Sequence, residues 1–292
     1  MLKEDFETLV PARGGIDRRT FVQGTLGSGF AAAVLPVMAQ TVIKTSADGL
    51  DVGEATVTVG DFKMPVYHAA PKGKRNLPVV LVISEIFGVH QHIADVARRF
   101  AHQGYFAVAP ELFLRQGDAE MYGEIAKLIA EVISKVPDEQ VMGDLDATVA
   151  WAGTQGADTS RIGITGFCWG GRITWLYSAH NPAVKAGVAW YGRLTGPTSA
   201  LNPKQPLDVV GSLKGPVLGL YGGADSGIPL DTVEQMKAAL TRGSPAAKAS
   251  EFVVYPAAPH AFHADYRPSH REAAATDGWK RCLAWFASHG LA

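Results

Sequence analysis

The sequence has few cysteines, no excess of basic residues and no long uninterrupted apolar run. Its 292 residues include only two cysteines, Cys168 and Cys282, which cannot form the disulfide framework of a small secreted domain. Lys and Arg number 27 against 28 Asp and Glu, and this balance argues against a nucleic-acid partner. With 47% hydrophobic and 19% charged residues, the composition excludes a disordered chain and indicates a soluble globular protein.

The N-terminal segment resembles an export signal. The pair Arg18-Arg19 precedes an uncharged stretch, Thr20–Ile43, which is too polar and too often interrupted by Gly and Pro to span a membrane. The pattern is similar to a twin-arginine signal with a small-residue cleavage site at Val37-Met38-Ala39. The alternative is a surface arginine pair beside a buried N-terminal helix. We expect a signal over residues 1–39 and a periplasmic or secreted mature protein over 40–292, with the twin-arginine export machinery as the precursor's partner.

The rest of the chain alternates between short apolar runs and helical periodicities. Glu54–Val59 and Phe62–Ala69, separated by Gly60-Asp61, predict an antiparallel hairpin. Six later runs are apolar on consecutive positions, as in strands buried on both faces of a parallel sheet. These runs are Pro78–Ile83, Phe106–Ala109, Arg161–Thr165, Lys185–Tyr191, Val217–Tyr221 and Phe252–Tyr255. The helical stretches are His92–Gln103, Asp138–Thr154, Leu230–Leu240 and Arg271–Ser288. This alternation predicts one α/β domain with a mostly parallel sheet and helices on both faces.

A cysteine lies in a glycine-flanked turn after one of these predicted strands. The segment Gly166-Phe167-Cys168-Trp169-Gly170-Gly171 has the Gly-x-nucleophile-x-Gly pattern of a nucleophile elbow between a strand and a helix. The N-terminus of the following helix would favour the Cys168 thiolate. The alternative is a glycine-rich turn that contains a buried structural cysteine.

Two further loops place an acid and an imidazole after predicted strands. Asp225 follows Val217–Tyr221, and His260 follows Phe252–Tyr255. The chain order of nucleophile, acid and histidine is the order that α/β-hydrolases use. In that arrangement His260 would accept the thiol proton of Cys168, and Asp225 would orient the imidazole ring. Taken singly, Asp225 is typical of a turn and His260 of a protein surface.

Two histidine pairs raise the question of a metal site. His260 with His263 and His90 with His92 have no companion cysteine or carboxylate at a zinc-site spacing. We therefore expect no metal, and we expect His263, His90 and His92 to be solvated loop residues. No cofactor is implied, because the nucleophile, the base and the oxyanion donors would all be protein groups.

From about Val52 to its C-terminus, the chain resembles the dienelactone hydrolases, also called carboxymethylenebutenolidases. The cysteine elbow is the most specific element, because most α/β-hydrolases have serine there, and Ser84-Glu85-Ile86-Phe87-Gly88 is the second. The resemblance implies that Glu85 contacts the resting thiol and takes its proton when substrate arrives. It also implies that the backbone N–H groups of Ile86 and Trp169 form the oxyanion hole.

The resemblance further implies arginines that bind a substrate carboxylate. Arg115, within Pro110–Gln116, matches one of these positions. The second position falls on Ala264, and we expect Arg267, three residues later, to substitute for it. Tyr191 matches a pocket tyrosine, and its alternative interpretation is a core aromatic at the end of a strand.

The expected activity is hydrolysis of a lactone or ester that carries a nearby carboxylate, such as dienelactone, through an acyl-enzyme on Cys168. A carboxylesterase with a broader or different substrate range is the alternative among enzymes. A non-catalytic binding protein on the same fold is the alternative outside them. Because a carboxylate near Cys168 would oppose thiolate formation, we also expect the resting thiol to be mostly neutral.

Overall fold

The computed structural model describes residues 43–292, so the expected export signal over residues 1–39 lies outside the described part of the chain. The strands are β1 (Leu50–Val59), β2 (Phe62–Pro71), β3 (Pro78–Ile83), β4 (Phe106–Pro110), β5 (Asp158–Phe167), β6 (Val184–Trp190), β7 (Val217–Gly222) and β8 (Glu251–Tyr255). The α-helices are α1 (Gln91–His102), α2 (Ile125–Glu131), α3 (Asp138–Thr154), α4 (Trp169–His180), α5 (Leu230–Leu240), α6 (Pro245–Lys248) and α7 (Glu272–Ser288). Short 3₁₀ helices lie at Ala119–Met121, Ile133–Lys135 and Pro206–Ser212.

The eight strands form one sheet in the order β1-β2-β4-β3-β5-β6-β7-β8. The β1–β2 hairpin joins the sheet through an antiparallel pairing of β2 with β4. From β4 to β8 every pairing is parallel. The predicted hairpin and mostly parallel sheet are therefore confirmed. Because parallel strands end at the same edge, the loops after β3, β5, β6, β7 and β8 are neighbours.

The central strands of the sheet are buried on both faces. All six residues of β3 and all six of β7 are buried, as expected for strands with apolar residues at consecutive positions. Helices α1 and α7 pack on one face, where Phe100 and Phe286 are fully buried. Helix α3 packs on the other face through Val141 and Leu145. Full burial of one such side chain stabilises the fold by roughly 1.5–3 kcal/mol.

The boundaries of strands and helices differ from the predicted ones mainly where polar residues extend a strand. Strand β5 begins at Asp158 rather than Arg161, because Asp158 pairs beside Pro78 at the start of β3. Helix α2 is absent from the predictions because seven residues contain too little of the helical period to detect. None of the helices in residues 43–292 has the length and apolar character needed to cross a bilayer.

The start of the described chain is attached to helix α1. The Thr45 backbone N–H donates to Asp95 Oδ1 at 2.6 Å, and the Ile43 N–H donates to Asp265 Oδ2 at 3.2 Å. Arg98 Nε donates to the Thr45 carbonyl at 3.0 Å. These bonds hold the segment before β1 against the body of the protein, near the loop that follows β8.

Candidate active site

A cavity of about 690 Å³ opens at the carboxyl edge of the parallel strands. Loops after five strands bring the sequence-predicted groups to its wall. These groups are Ile86 after β3, Cys168 and Trp169 after β5, Tyr191 after β6, Asp225 after β7, and His260 and Arg267 after β8. The structure thus brings Cys168, Asp225 and His260, which lie far apart in the chain, to one cavity.

Cys168 occupies a strained turn between β5 and α4. Its φ of 54° and ψ of −112° lie in a region that a non-glycine residue rarely adopts. A side chain at Gly166 would collide with the Gly170 carbonyl, and one at Gly170 would collide with the carbonyl of Ile83. The Cys168 N–H donates to the Trp190 carbonyl at 3.0 Å, which holds the turn. The geometry is that of a nucleophile elbow, as the glycine spacing predicts.

His260 and Asp225 form an oriented pair. His260 Nδ1 donates to Asp225 Oδ2 at 2.7 Å. The other carboxylate oxygen, Oδ1, accepts from the backbone N–H groups of Gly227 at 2.9 Å and Ile228 at 3.2 Å. With both oxygens engaged, Asp225 is fixed in the loop and leaves His260 Nε2 free of any hydrogen bond within the described residues. This Nε2 is the atom that can exchange a proton with a nucleophile.

The pKa of His260 is raised to about 10. Burial lowers it, but the interaction with Cys168 and the hydrogen bond that His260 donates to Asp225 outweigh burial. Because the interaction with Cys168 is the largest of the raising effects, the sulfur and the imidazole are electrostatically coupled. Such coupling is the property that a cysteine–histidine pair needs for proton transfer between its members.

Glu85 lies buried in the loop between β3 and α1. His90 Nε2 donates to its Oε2 at 3.2 Å, while Oε1 has no hydrogen-bond partner within residues 43–292. Burial raises the pKa of Glu85, but His90 and the charge of Arg267 outweigh it and bring the pKa to about 2. The contact that the resemblance implies is with the Cys168 thiol. The structure instead gives the hydrogen bond of this carboxylate to His90.

Sequence reasoning missed the residue that shapes this loop. Glu111, after β4, accepts from the backbone N–H of Val89 at 3.1 Å through its Oε1. A side chain at Gly88 would meet Glu111 Oε2 at 2.8 Å, and Gly88 has a φ of +76° that favours glycine. The buried glutamate therefore sets the path of the chain from Glu85 to His90. The only available signal was an acid directly after a predicted strand.

Tyr191 and Arg267 complete the wall near Cys168. The Tyr191 ring is fully buried and packs edge-on against the His260 ring, with 5.2 Å between ring centres. The Arg267 guanidinium lies 5.0 Å from the ring centres of both Phe87 and Tyr266. Successive turns after Ala261 bring Arg267 to the cavity, although it lies three residues beyond the position that the resemblance implies.

Arg115 does not reach the cavity. Its Nη2 donates to Asp144 Oδ1 at 2.6 Å, and Nη1 donates to the other carboxylate oxygen, so the two side chains form a bidentate pair with helix α3. Its guanidinium lies over the Phe62 ring with 4.3 Å to the ring centre. Both the charge and the donors of Arg115 are therefore occupied, and its expected contact with a substrate carboxylate is not supported by this geometry.

The expectation that three histidines are solvated loop residues is wrong. His92 and His263 are 3% and 2% exposed, and the His90 side chain is 12% exposed. His92 Nδ1 donates to Asp265 Oδ1 at 2.9 Å, and burial lowers the pKa of His263. Their burial follows from packing of the loop after β8 onto α1, which adjacent sequence does not reveal. Among residues 43–292, no three His, Cys, Asp or Glu side chains are grouped so that they could hold a metal ion.

These features define the class of the protein. A mostly parallel eight-stranded sheet, a nucleophile elbow after β5 and a histidine–acid pair from the loops after β7 and β8 are the elements of an α/β-hydrolase.

Comparisons with known proteins specify this class further. Residues 64–290 match the model of the dienelactone hydrolase family. The chain is 59% identical over 282 residues to a protein of Methylorubrum extorquens that is provisionally named carboxymethylenebutenolidase, with 96% of each chain covered. A similarly named protein of Escherichia coli K12 is 52% identical over 267 residues, which cover 91% of this chain and 97% of the relative.

A solved structure shows the same fold. The crystal structure of a Klebsiella pneumoniae protein, provisionally titled a dienelactone hydrolase, is 55% identical with a TM-score of 0.79. The match covers 82% of this chain and 98% of that one. The chain belongs to the dienelactone hydrolase family, and it is a hydrolase.

Proposed function

We propose that the protein hydrolyses lactones or esters that bear a carboxylate, such as dienelactone, through an acyl-enzyme on Cys168. The observation that carries this proposal is the convergence of Cys168, on a strained elbow, with the His260–Asp225 pair in one cavity. A serine hydrolase would use the same arrangement with a hydroxyl nucleophile, and this chain has a thiol there.

In the first half of the reaction, His260 takes the thiol proton and the Cys168 sulfur attacks the carbonyl carbon of the substrate. The oxyanion of the tetrahedral intermediate accepts hydrogen bonds from the backbone N–H groups of Ile86 and Trp169, which both line the cavity. The carbon–oxygen bond of the lactone or ester then breaks. The alkoxide oxygen takes the proton from His260, and a thioester remains on Cys168.

In the second half, His260 takes a proton from water and the resulting hydroxide attacks the thioester carbonyl. The carbon–sulfur bond breaks, the carboxylic acid leaves, and His260 returns the proton to the thiolate of Cys168. Throughout both halves Asp225 keeps the Nδ1–H of His260 engaged, so that Nε2 faces the reacting groups. No cofactor takes part in these steps.

We assign Arg267 as the cation that binds the substrate carboxylate beside Cys168. It is 7% exposed, lines the cavity, and has a free Nε–H within the described residues. Glu85 interacts with the positive charge of Arg267. Burial lowers the pKa of Arg267, but Tyr266 and Glu85 outweigh burial, so the pKa is raised above its usual value. A substrate carboxylate near Arg267 would therefore compete with Glu85. This competition releases Glu85 to approach the thiol, as the resemblance to the family implies.

The test is a panel of lactones and esters, dienelactone included, on the wild-type protein and on Cys168→Ala. We expect turnover by the wild type and a loss of at least about 1,000-fold in the variant, since the nucleophile is removed. Mass spectrometry of the quenched wild type should detect the acyl group on the peptide that contains Cys168. Equal activity of the two proteins, or an acyl group elsewhere, would refute the proposed nucleophile. Hydrolysis of neutral esters with no preference for a carboxylate would favour the broader carboxylesterase.

We also propose that residues 1–39 are a twin-arginine signal that directs the folded protein to the periplasm or beyond. The support is the pair Arg18-Arg19 ahead of an uncharged, weakly apolar stretch. Arg18→Lys with Arg19→Lys should retain the precursor in the cytoplasm, because the export receptor reads guanidinium pairs. An unchanged periplasmic yield in cell fractionation would remove the proposal.

A further inference from the structure

The cavity is much larger than a dienelactone molecule. Dienelactone has about ten non-hydrogen atoms, and ten liquid waters, which pack less tightly than bonded atoms, occupy roughly 300 Å³. The cavity volume is about 690 Å³. More than half of the cavity would therefore stay unfilled with a ligand of that size bound, and a volume of this size suits a considerably larger ligand.

The additional volume is bordered by two segments that carry none of the proposed catalytic groups. We call this part of the cavity the extended arm. Its lining comes from residues 129–134 and from residues 193–205. Ile129 and Ile133 line it from the first segment and Pro197 from the second. The same segments add polar residues, among them Ser134, Thr198 and Ser199, so the lining is mixed. Its apolar part favours a hydrocarbon portion of a ligand, because burial of each methylene contributes about 0.8 kcal/mol.

The polar groups behind the extended arm are already bonded to each other. Arg172 donates to both oxygens of Asp138 at 2.7 and 2.8 Å and to Gln205 Oε1 at 3.0 Å. Asn202 Nδ2 donates to the Val136 carbonyl at 3.0 Å and to Asp138 Oδ1 at 3.1 Å. These bonds join the second lining segment, through Asn202 and Gln205, to Arg172 and to the chain at Val136 and Asp138 just after the first segment. Since their donors and acceptors are occupied, this network shapes the arm without offering a charge to a ligand.

Arg193 differs from its neighbour Arg172 because its charge is available. It is exposed and lines the cavity, and within residues 43–292 no ion pair engages its guanidinium. Its side chain lies over Gly196, where a side chain would come within 3.2 Å of Arg193 Cδ and 3.6 Å of Nη1. Gly196 has a φ of +156°, which favours glycine, so the backbone leaves room for the arginine at this place.

We propose that the extended arm binds the apolar chain of a larger ester or lactone, and that Arg193 binds an anionic group at the end of that chain. This inference rests on the proposed function, because it concerns the substrate of the same site. The preferred substrate is then a monoester of a medium-chain dicarboxylic acid, or a lactone of a hydroxy acid with a chain of similar length that ends in a carboxylate. Arg267, beside the ionised Glu85, is less free to serve as the terminal anchor than Arg193.

The experiment compares p-nitrophenyl esters of equal chain length and different terminal charge. The probes are the acetate, the octanoate, the suberate monoester and the 8-aminooctanoate, each with dienelactone measured alongside. For the wild type we expect kcat/KM to rise from acetate to octanoate. It should rise about tenfold further for the suberate monoester, as one charge-assisted hydrogen bond at a partly solvated site would give. The 8-aminooctanoate should fall below the octanoate.

The decisive variant is Arg193→Glu, which should invert the order of the suberate monoester and the 8-aminooctanoate. Arg193→Ala should bring the suberate-to-octanoate ratio of kcat/KM close to one. Ile129→Ser, at a site that is already 36% exposed, should lower the octanoate-to-acetate ratio about threefold because apolar contact is lost. Arg242→Ala is the matched control, since Arg242 is exposed and does not line the cavity.

The outcomes separate this inference from the proposed function. If acetate and dienelactone are both inert and Cys168→Ala changes nothing, the proposed function fails. If these short substrates react through Cys168 but the octanoate is no better than the acetate, the extended arm is not a binding site. If the ratio of suberate monoester to 8-aminooctanoate is the same in the wild type, Arg193→Glu and Arg242→Ala, Arg193 does not bind the terminal anion.

Discussion

Two buried polar clusters lie close together in this protein, and they differ in how completely their atoms are bonded. The reactive cluster consists of the buried Glu85, which interacts with the charge of Arg267, and of five residues that line the cavity: Cys168, Tyr191, Asp225, His260 and Arg267. Within residues 43–292 it contains four buried atoms without a hydrogen-bond partner. These are Glu85 Oε1, the Tyr191 hydroxyl, His260 Nε2 and Arg267 Nε.

The anchor cluster, by contrast, uses all of its carboxylate oxygens, and within residues 43–292 its one buried side-chain atom without a hydrogen-bond partner is His92 Nε2. It consists of His92, Asp95, Arg98, Arg99 and Asp265. Asp95 accepts from Arg98, from Arg99 and from the segment at Thr45. Asp265 accepts from His92 at 2.9 Å, from Arg99 at 2.9 Å and from the Ile43 N–H. Burial raises the pKa of Asp265, but His92 and Arg99 outweigh burial and hold it well below its usual range.

The difference shows where the fold is stabilised and where it keeps reactive groups free. A buried polar atom without a partner costs about 1–3 kcal/mol. The unpaired atoms of the reactive cluster therefore destabilise the folded protein, and packing of the surrounding structure offsets that cost. In the anchor cluster, Asp95 and Asp265 accept hydrogen bonds from Arg98, Arg99 and His92 of the same cluster. We therefore expect substitutions in the reactive cluster to change activity more than stability, with Glu85 contributing to both through its bond to His90, and substitutions in the anchor cluster to change stability.

The largest expected effect is on the activity of Asp225→Asn. The amide no longer stabilises the imidazolium and favours the wrong tautomer of His260, so kcat should fall about 1,000- to 10,000-fold. The free energy of unfolding should change by less than about 1.5 kcal/mol, because Asn retains the shape of the side chain. Ester hydrolysis and urea unfolding on the same preparation would check both. A variant with near wild-type kcat would show that the His260–Asp225 pair is not part of the machinery.

Asp265→Ala is the matching change in the anchor cluster. It leaves His92 Nδ1 without its acceptor and Arg99 with Asp95 as its remaining carboxylate, and it should lower the free energy of unfolding by about 3–5 kcal/mol. The folded protein should keep kcat within a few-fold of the wild type, measured well below the unfolding temperature. A thermal midpoint equal to that of the wild type, together with impaired kcat, would reverse the assignment of the two clusters.

The pH dependence of stability sharpens the comparison through Glu85. Its folded pKa of about 2 lies below the usual value of a glutamate, so its contribution is fully present above about pH 4.5 and is lost as the pH falls toward 2. That contribution is about 3 kcal/mol, at 1.36 kcal/mol for each pH unit. Unfolding titrations from pH 5 to pH 2 should show a shallower acid loss in Glu85→Gln than in the wild type. Parallel curves would mean that Glu85 titrates normally in the folded protein.

The smallest expected effect is on the reactivity of the thiol. Glu85→Gln removes a negative charge from the site and should raise the rate at which iodoacetamide alkylates Cys168 at pH 7. Because His90 and Arg267 already offset that charge, we expect an increase of only about two- to fivefold. Cys282 serves as the internal control, since burial raises its pKa and shields it from the reagent. An alkylation rate equal to that of the wild type, with unchanged lactone turnover, would show that Glu85 has no role in the reactivity of Cys168.

Much of the framework was predictable because it depends on local sequence. The predicted boundaries of β3, α3 and α5 match the structure residue for residue. Apolar residues at consecutive positions mark a strand that is buried on both faces, and this signal needs no information from distant parts of the chain. The positions of Gly166 and Gly170 likewise reflect a steric requirement within one turn.

The sequence by itself therefore determined the strands, the elbow of Cys168 and the order of the three proposed catalytic side chains, since each depends on residues that are adjacent in the chain. Tertiary structure alone decided that Arg267 reaches the cavity while Arg115 is occupied by Asp144. It also decided that His92 is buried against Asp265. The physical reason is that a charge is free or neutralised according to partners far away in sequence, and only the packed fold brings those partners within hydrogen-bond distance.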